Sequence, residues 1–430
     1  MRRLLTLMVV CIVAPIGAAA CSGAESVSSP EIEEAQRRKD AGADAHVDAH
    51  VDADAHDAIA DARDAIAYPA FTPDVPQVMT YGGPVLRAPK IVAVTFAGDP
   101  QASLIERFVA NLGASQYWSA TTSEYGVGAM QALAPIRLNE AAPAAVEDAQ
   151  HRAWLAAKFG RAPFGTPDPN TIYAVFYPSG TQVTIGSVLT GCVNSGGYHW
   201  DMDAGGTRIP YAVMPRCAAL GNLQGFDVLT SVASHEFVEA ATDPFSQTKP
   251  AYRRVDDDHF VWQWFYLDEV GDLCVQNRYL NVRPSDVGFL VQRTWSNAAL
   301  RAYHNPCVPF SGIYFNAAPV LSDAITVSDG DRTLVTKGVR VPVGQSRTIA
   351  IDLFSDAPAP DWSVSVFDVA ALRGGPAELA LSLDRTSGHD GDTLHLTVTA
   401  LAASPRGFSA FLLQSSYGGT STFWPGLVGH

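Results

Sequence analysis

The run Ser234-His235-Glu236-Phe237-Val238-Glu239 holds the residue types that a metal-dependent hydrolase needs. On a helix, His235 and Glu239 stand four apart on one face, offering an imidazole nitrogen and a carboxylate to a single ion. Glu236, directly after the histidine, takes the place that the His-Glu-x-x-His zinc motif gives to its general base. Glutamate replaces the second histidine here, so the pattern is His-Glu-x-x-Glu. A catalytic zinc site uses three protein ligands and keeps a fourth position for water. The third ligand must therefore come from elsewhere in the chain. Candidates are Asp243, the run Asp256-Asp257-Asp258-His259, and the run from Leu267 to Cys274 with Asp268, Glu269 and Asp272. Glu269 ranks first because its separation from His235 leaves room for a loop and a second element. Asp272 and Asp243 follow, the latter because the helix is ending there and its face has drifted.

On this reading His235, Glu239 and Glu269 bind zinc or another divalent metal. Glu236 accepts a proton from the metal-bound water and delivers it to the leaving amine. Two carboxylates make Zn²⁺ a weaker Lewis acid and suit a harder ion such as Mn²⁺ or Ca²⁺. The alternative is a metal-free network in which His235, Glu236 and Glu239 pair with Arg253 or Arg254.

The elements that position these residues can be sketched from patterning. Val228, Leu229, Val232, Phe237, Val238 and Ala241 predict a largely buried helix, capped by Asp227 and stopped at Asp243-Pro244. Ionisable groups on such a helix need pairing, hydrogen bonds or a metal. Apolar, β-branched runs at Lys90–Phe96, Thr171–Tyr177 and Ile209–Pro215 read as strands, and Leu104–Leu112 and Pro143–Phe159 as helices. Without a regular βαβ repeat, the fold class is α+β. Trp262, Trp264 and Tyr266 could stack on a sugar, but their spacing suits packing in a core. Beyond residue 312 short alternating strands, among them Ile349-Ala350-Ile351 and Leu394-His395-Leu396, predict an all-β, immunoglobulin-like sandwich with an accessory role.

The N-terminus reads as a targeting segment. Arg2 and Arg3 precede an apolar run from Leu4 to Ile16, and Ala18-Ala19-Ala20 forms a small-residue cleavage site, giving a signal peptide over 1–20. Cys21 follows at once, which resembles a bacterial lipoprotein signal and implies lipidation of that cysteine; ordinary secretion is the alternative. Residues 21–67 are an Ala/Asp-rich tether. Eight Asp and one Arg within 40–67 account for nearly half of the net charge of −15. The α+β domain then spans 68–312 and the sandwich 313–430. No basic patch with interleaved aromatics is present, which argues against nucleic acid as a partner. Membrane contact is expected through the lipid anchor only, at the outer membrane or cell surface. Cys11 leaves with the signal, so Cys192, Cys217, Cys274 and Cys307 remain, an even number in an exported protein. Of three pairings, Cys192–Cys217 and Cys274–Cys307 close modest loops and are preferred.

Several motifs recur in one order: Tyr81-Gly82-Gly83-Pro84-Val85-Leu86, Gly197-Tyr198-His199, Ser234-His235-Glu236-Phe237-Val238-Glu239-Ala240-Ala241-Thr242-Asp243-Pro244, and Glu269-Val270-Gly271-Asp272-Leu273-Cys274. Together they resemble the exordium (phosphate-induced protein) family and bacterial secreted proteins with a related metallopeptidase core, over roughly residues 78–310. The resemblance implies a zincin-like core. It also implies a role for His199 as oxyanion stabiliser or as support for the metal site, against the alternative of a structural hydrogen bond near a disulfide. Asp243 stands where plant members often have Asn. The expected function is an exported, lipid-anchored zinc-dependent hydrolase acting on a peptide or protein. The competing expectation is a surface binding protein that keeps the fold without turnover.

Overall fold

The computed structural model describes residues 68–430 apart from 188, 276–279 and 331. The signal segment, Cys21 and the tether lie outside the described residues. The N-terminal half is built on a mixed sheet. Its strands are β1 (Lys90–Thr95), β2 (Gln131–Ala132), β3 (Thr171–Tyr177), β4 (Tyr198–Ala204) and β5 (Thr207–Pro215). In space they run β2-β1-β3-β5-β4. Pairing is parallel from β2 through β5, and β4 lies antiparallel against β5 at the end of the row.

Strands alternate their side chains, and here each face meets its own apolar layer. Ile91, Ala93, Ile172, Ala174, Phe176, Ala212 and Met214 point to one side. Helix α1 (Ala102–Gly113) and helix α3 (Phe226–Thr242) pack there, with Phe237 centred 6.4 Å from Phe108 and 6.5 Å from Phe176. Val92, Val94, Tyr173, Val175, Tyr211 and Val213 point to the other side, against Leu155 of helix α2 (Asp148–Ala156). Helix α2 is shorter than the pattern predicts. Ala145–Glu147 pair as a strand with Gln182–Ile185, and Glu147 with Gln150 forms a capping box, so Pro143 precedes the helix altogether.

A second hydrophobic assembly follows. One sheet orders β6 (Phe315–Pro319), β9 (Ser346–Ser355), β12 (Thr393–Ala400) and β11 (Leu379–Leu383) as β6-β9-β12-β11. The other orders β7 (Asp323–Asp329), β8 (Arg332–Arg340), β14 (Thr420–Gly429), β13 (Phe408–Tyr417) and β10 (Trp362–Asp368) as β7-β8-β14-β13-β10, ending on Ser387–Gly388. Phe315 against Trp362 and Phe354 against Trp424 join the two inner faces, which makes this a sandwich. Helix α4 (Phe260–Tyr266) couples it to the first half: Trp262 lies 5.3 Å from Trp424 and 5.5 Å from Trp295. Trp262 and Tyr266 are buried, and Arg373 covers the Trp264 ring at 4.4 Å, so these aromatics pack rather than form an open platform.

The described residues are therefore α+β with a strand-rich C-terminal sandwich. Both preferred disulfides are present, Cys192–Cys217 and Cys274–Cys307. They fit an oxidising compartment. Among the described residues no helix is long and apolar enough to cross a membrane.

Candidate metal centre

Helix α3 begins at Phe226 after Gly225, with the cap two residues before Asp227; Asp227 instead pairs with Arg283 at 2.8 Å. The helix is buried almost throughout, as its apolar content demands, and His235, Glu236 and Glu239 are at most 5% exposed. His199 comes from β4. Its neighbours Tyr198, Trp200 and Met202 face the other core, so strand alternation turns the His199 ring toward α3. Gly197 permits this approach, since a Cβ there would lie 2.8 Å from Val232 Cγ1. The remaining acids come from the segment after α4. Leu267, at φ 84° and ψ −163°, holds a conformation that side chains disfavour, and the chain then turns through Asp268, Glu269 and a 3₁₀ turn at Asp272–Cys274.

The two predicted helix ligands meet: His235 Nε2 lies 3.1 Å from Glu239 Oε2. The downstream carboxylate that joins them is Asp272, whose Oδ1 is 3.8 Å from His235 Nε2. These three place their donor atoms within 4.8 Å of one another. Glu269, ranked first from sequence, instead approaches His199, with Oε1 3.5 Å from Nε2. The other nitrogen of His199, Nδ1, is 3.2 Å from Glu236 Oε2 and 3.6 Å from Glu239 Oε2. His199 thus joins the cluster directly rather than the disulfide alone. Asp268, Glu269 and Asp272 form a further acidic group. Arg253 stands beside it, 3.7 Å from Asp268, and donates to the Ser246 carbonyl. Arg254 lies over the Tyr81 ring. No ion pair between either arginine and His235, Glu236 or Glu239 is found among the described residues.

Two supporting residues carry no spacing signal. The Gln292 amide nitrogen lies 2.8 Å from His235 Nδ1 and 2.8 Å from the Gly271 carbonyl, fixing the ring. The Gly271 N–H donates to Glu239 Oε1 at 3.1 Å. A Cβ on Gly271 would fall 2.6 Å from His235 Nδ1 and 2.7 Å from Glu239 Oε1, so only glycine leaves both side chains in place. Gln292 follows the apolar run Phe289-Leu290-Val291 and precedes Arg293, and nothing in that local pattern marks it.

Electrostatics show how costly this assembly is without a cation. Burial opposes charge on His235, yet Glu239, Glu236 and Asp272 outweigh it and lift its pKa to about 10. Burial likewise works against His199, but Glu269, Glu236 and Glu239 hold it well above the usual imidazole value. Burial, then Glu239, pushes Asp272 far up; burial, then Glu269, pushes Asp243 up to about 8. Burial raises Glu239 too, only partly offset by His235. Glu269 moves down, because His199 and Arg253 outweigh its burial. Protons thus hold a metal-free cluster together, and a bound cation would displace them.

The fit of a cation can be judged from atoms left without partners. Among the described residues, no well-aligned hydrogen bond reaches His199 Nε2, Glu239 Oε2, Asp243 Oδ2, Asp272 Oδ1 or either carboxylate oxygen of Glu269, although His235 Nε2 stands 3.1 Å from Glu239 Oε2 and His199 Nε2 3.5 Å from Glu269 Oε1. Buried polar atoms are rarely left so. Imidazole nitrogens and carboxylate oxygens in this number suit zinc, manganese or a similar divalent ion.

No protein-family model and no curated protein matches the chain. Among solved structures, a titin M3 domain is 15% identical over 21% of this chain and 85% of that one, with a TM-score of 0.15. A C. elegans twitchin kinase fragment with immunoglobulin domains is 13% identical over 27% of this chain and 19% of its own, and a chimeric titin Z1Z2 is 17% identical over 27% and 93%, each at TM-score 0.15. Scores this low carry no argument about fold or function.

Proposed function

We propose that the protein is an exported metal-dependent hydrolase, with a zincin-like, exordium-like core, an immunoglobulin-like sandwich, and a peptide or protein as substrate. The observation that carries the reading is the meeting of His235, Glu239 and Asp272 around partnerless buried atoms. His235 Nε2, Glu239 Oε2 and Asp272 Oδ1 would hold the ion, with Asp272 taking the place expected of Glu269. A divalent ion there supplies Lewis acidity and an acidified water. Glu236 follows His235 on the same helix and is the base that would take the water's proton. Its carboxylate is oriented by the His199 Nδ1–H, 3.2 Å from Oε2. With Nε2 given to the ion, His235 carries its proton on Nδ1, and Gln292 beside it can hold the ring by turning its amide oxygen to accept that N–H, while the Gly271 N–H donates to Glu239.

Burial favours a second reading, a surface binding protein in which the metal only organises the fold. His235 and Glu236 are 5% and 4% exposed, little access for a polypeptide. Glu236→Gln separates the two. The hydrolase reading expects the variant to keep its metal and lose all but about a thousandth of its activity, the scale of general-base catalysis. Retained metal together with unchanged function in every assay would favour the binding protein.

A further inference from the structure

The three donors of the proposed centre leave part of the cluster unexplained. Among the described residues His199 Nε2, both oxygens of Glu269 and Asp243 Oδ2 still have no hydrogen-bond partner, and all three side chains are at most 2% exposed. His199 is the informative one. In the metal-free cluster a proton on Nε2 fills the space before Glu269 Oε1, 3.5 Å away; a ring that keeps only its Nδ1–H, donated to Glu236, turns the Nε2 lone pair there instead. A lone pair and a carboxylate repel unless something positive lies between them. The same Glu269 faces the Asp243 carboxylate, whose other oxygen accepts from the Ala251 N–H at 2.6 Å. Once ionised, Glu269 and Asp243 are acceptor-only, so with a neutral His199 ring only a proton or a cation can join these three groups. A histidine that gives one N–H to a carboxylate and turns its other nitrogen inward is also the usual arrangement of a metal-ligating histidine.

Charge points the same way. Glu236, Glu239, Asp243, Asp268, Glu269 and Asp272 bring six carboxylates, and Arg253 is the guanidinium beside them. With all six carboxylates ionised, Arg253 charged and the histidines neutral, one divalent ion leaves the group at about −3 and a second at about −1.

We propose that the site takes two divalent cations: one on His235, Glu239 and Asp272, and a second on His199 Nε2 and Glu269, with Asp243 completing its carboxylate shell. The proposal rests on the metal-dependent reading above and extends it. Glu269, expected as the third ligand of the first ion, becomes a ligand of the second. His199 becomes a ligand as well as the group that orients Glu236.

The test is ion counting by native mass spectrometry on the purified exported protein loaded with Zn²⁺ and freed of excess metal. Wild type, His199→Asn, Glu269→Gln and His235→Ala are compared, with circular dichroism to confirm folding. The expected result is that His199→Asn and Glu269→Gln each lose one ion while the His235-dependent ion stays. Glu269→Gln preserves shape and decides the matter if His199→Asn does not fold. Full retention of metal in folded His199→Asn and Glu269→Gln, with an ion lost in His235→Ala, overturns the second site and leaves the first. A single ion in wild type also overturns it, and means that a proton shared by Asp243 and Glu269 fills the gap. No site-dependent ion in any chain overturns the metal-dependent reading itself.

Discussion

Replacing Gly271 by alanine adds one methyl group at the point where the cluster has no room for it. Gly271 has helical dihedrals, φ −74° and ψ −37°, so alanine suits its backbone and gains roughly 0.4–1 kcal/mol through a less mobile unfolded chain. Against this, the new Cβ would meet His235 Nδ1 at 2.6 Å, Glu239 Oε1 at 2.7 Å and His235 Cε1 at 2.8 Å. Neither side chain can swing away freely, since Gln292 holds the first and the Gly271 N–H the second. Overpacking of this kind costs about 1–3 kcal/mol, so the net destabilisation should be roughly 1–2 kcal/mol. Function should suffer more than stability, because two of the three proposed donors are displaced together. A loss of metal affinity of about 10–100-fold is expected, the scale seen when the groups that orient ligands are disturbed. Thermal melts with chelator and with saturating Zn²⁺ separate the two effects: the melt in chelator reads the strain, and the gain on adding metal reads the site. If Gly271→Ala melts like wild type and gains as much from Zn²⁺, the cluster is not arranged as described.

Three further outcomes follow from the same structure. Gln292→Leu removes the contact that orients His235 and should weaken metal binding by about 10–100-fold while Glu236 and its contact with His199 stay intact, measurable by competition with a chelating dye. Metal affinity should rise with pH through neutrality, by about tenfold per unit for each proton released, because His235 near 10 and Asp243 near 8 must give theirs up; a flat profile in a calorimetric titration would argue against these protons. His151, buried on the opposite face of the sheet and lowered to about 3 chiefly by burial, binds its proton only in the unfolded chain. Its contribution is therefore intact above about 6.5 and lost as pH falls toward 3, roughly 2 kcal/mol by pH 5. Urea titrations at pH 7 and pH 5 should show that loss in wild type and not in His151→Gln.

The helix and the strands were readable because periodicity reports burial. Thr171–Tyr177 is a strand with the predicted bounds, and Phe226–Thr242 ends where Asp243-Pro244 said it would. His235 and Glu239 could be paired from their spacing because α-helical geometry is rigid. The third donor could not be fixed in the same way. Glu269 and Asp272 are three residues apart on an irregular turn after Leu267, and such a turn has no fixed periodicity from which to read which carboxylate faces His235. The pattern over Pro143–Phe159 overextends the helix because its alanines suit a helix, while the pairing of Ala145–Glu147 with Gln182–Ile185 is a distant contact that periodicity does not record. His199 was found through motif order alone, and Gln292 acts through a contact between distant segments, which no local pattern contains.

The central claim is that His235, Glu239 and Asp272 share a divalent ion. Anomalous diffraction at the zinc edge from crystals of the Zn²⁺-loaded protein tests it most directly. The account predicts a peak about 2.0–2.2 Å from His235 Nε2 and from carboxylate oxygens of Glu239 and Asp272. An empty position there, with His235 Nε2 hydrogen-bonded to Glu239 and Asp272 turned away, would contradict it.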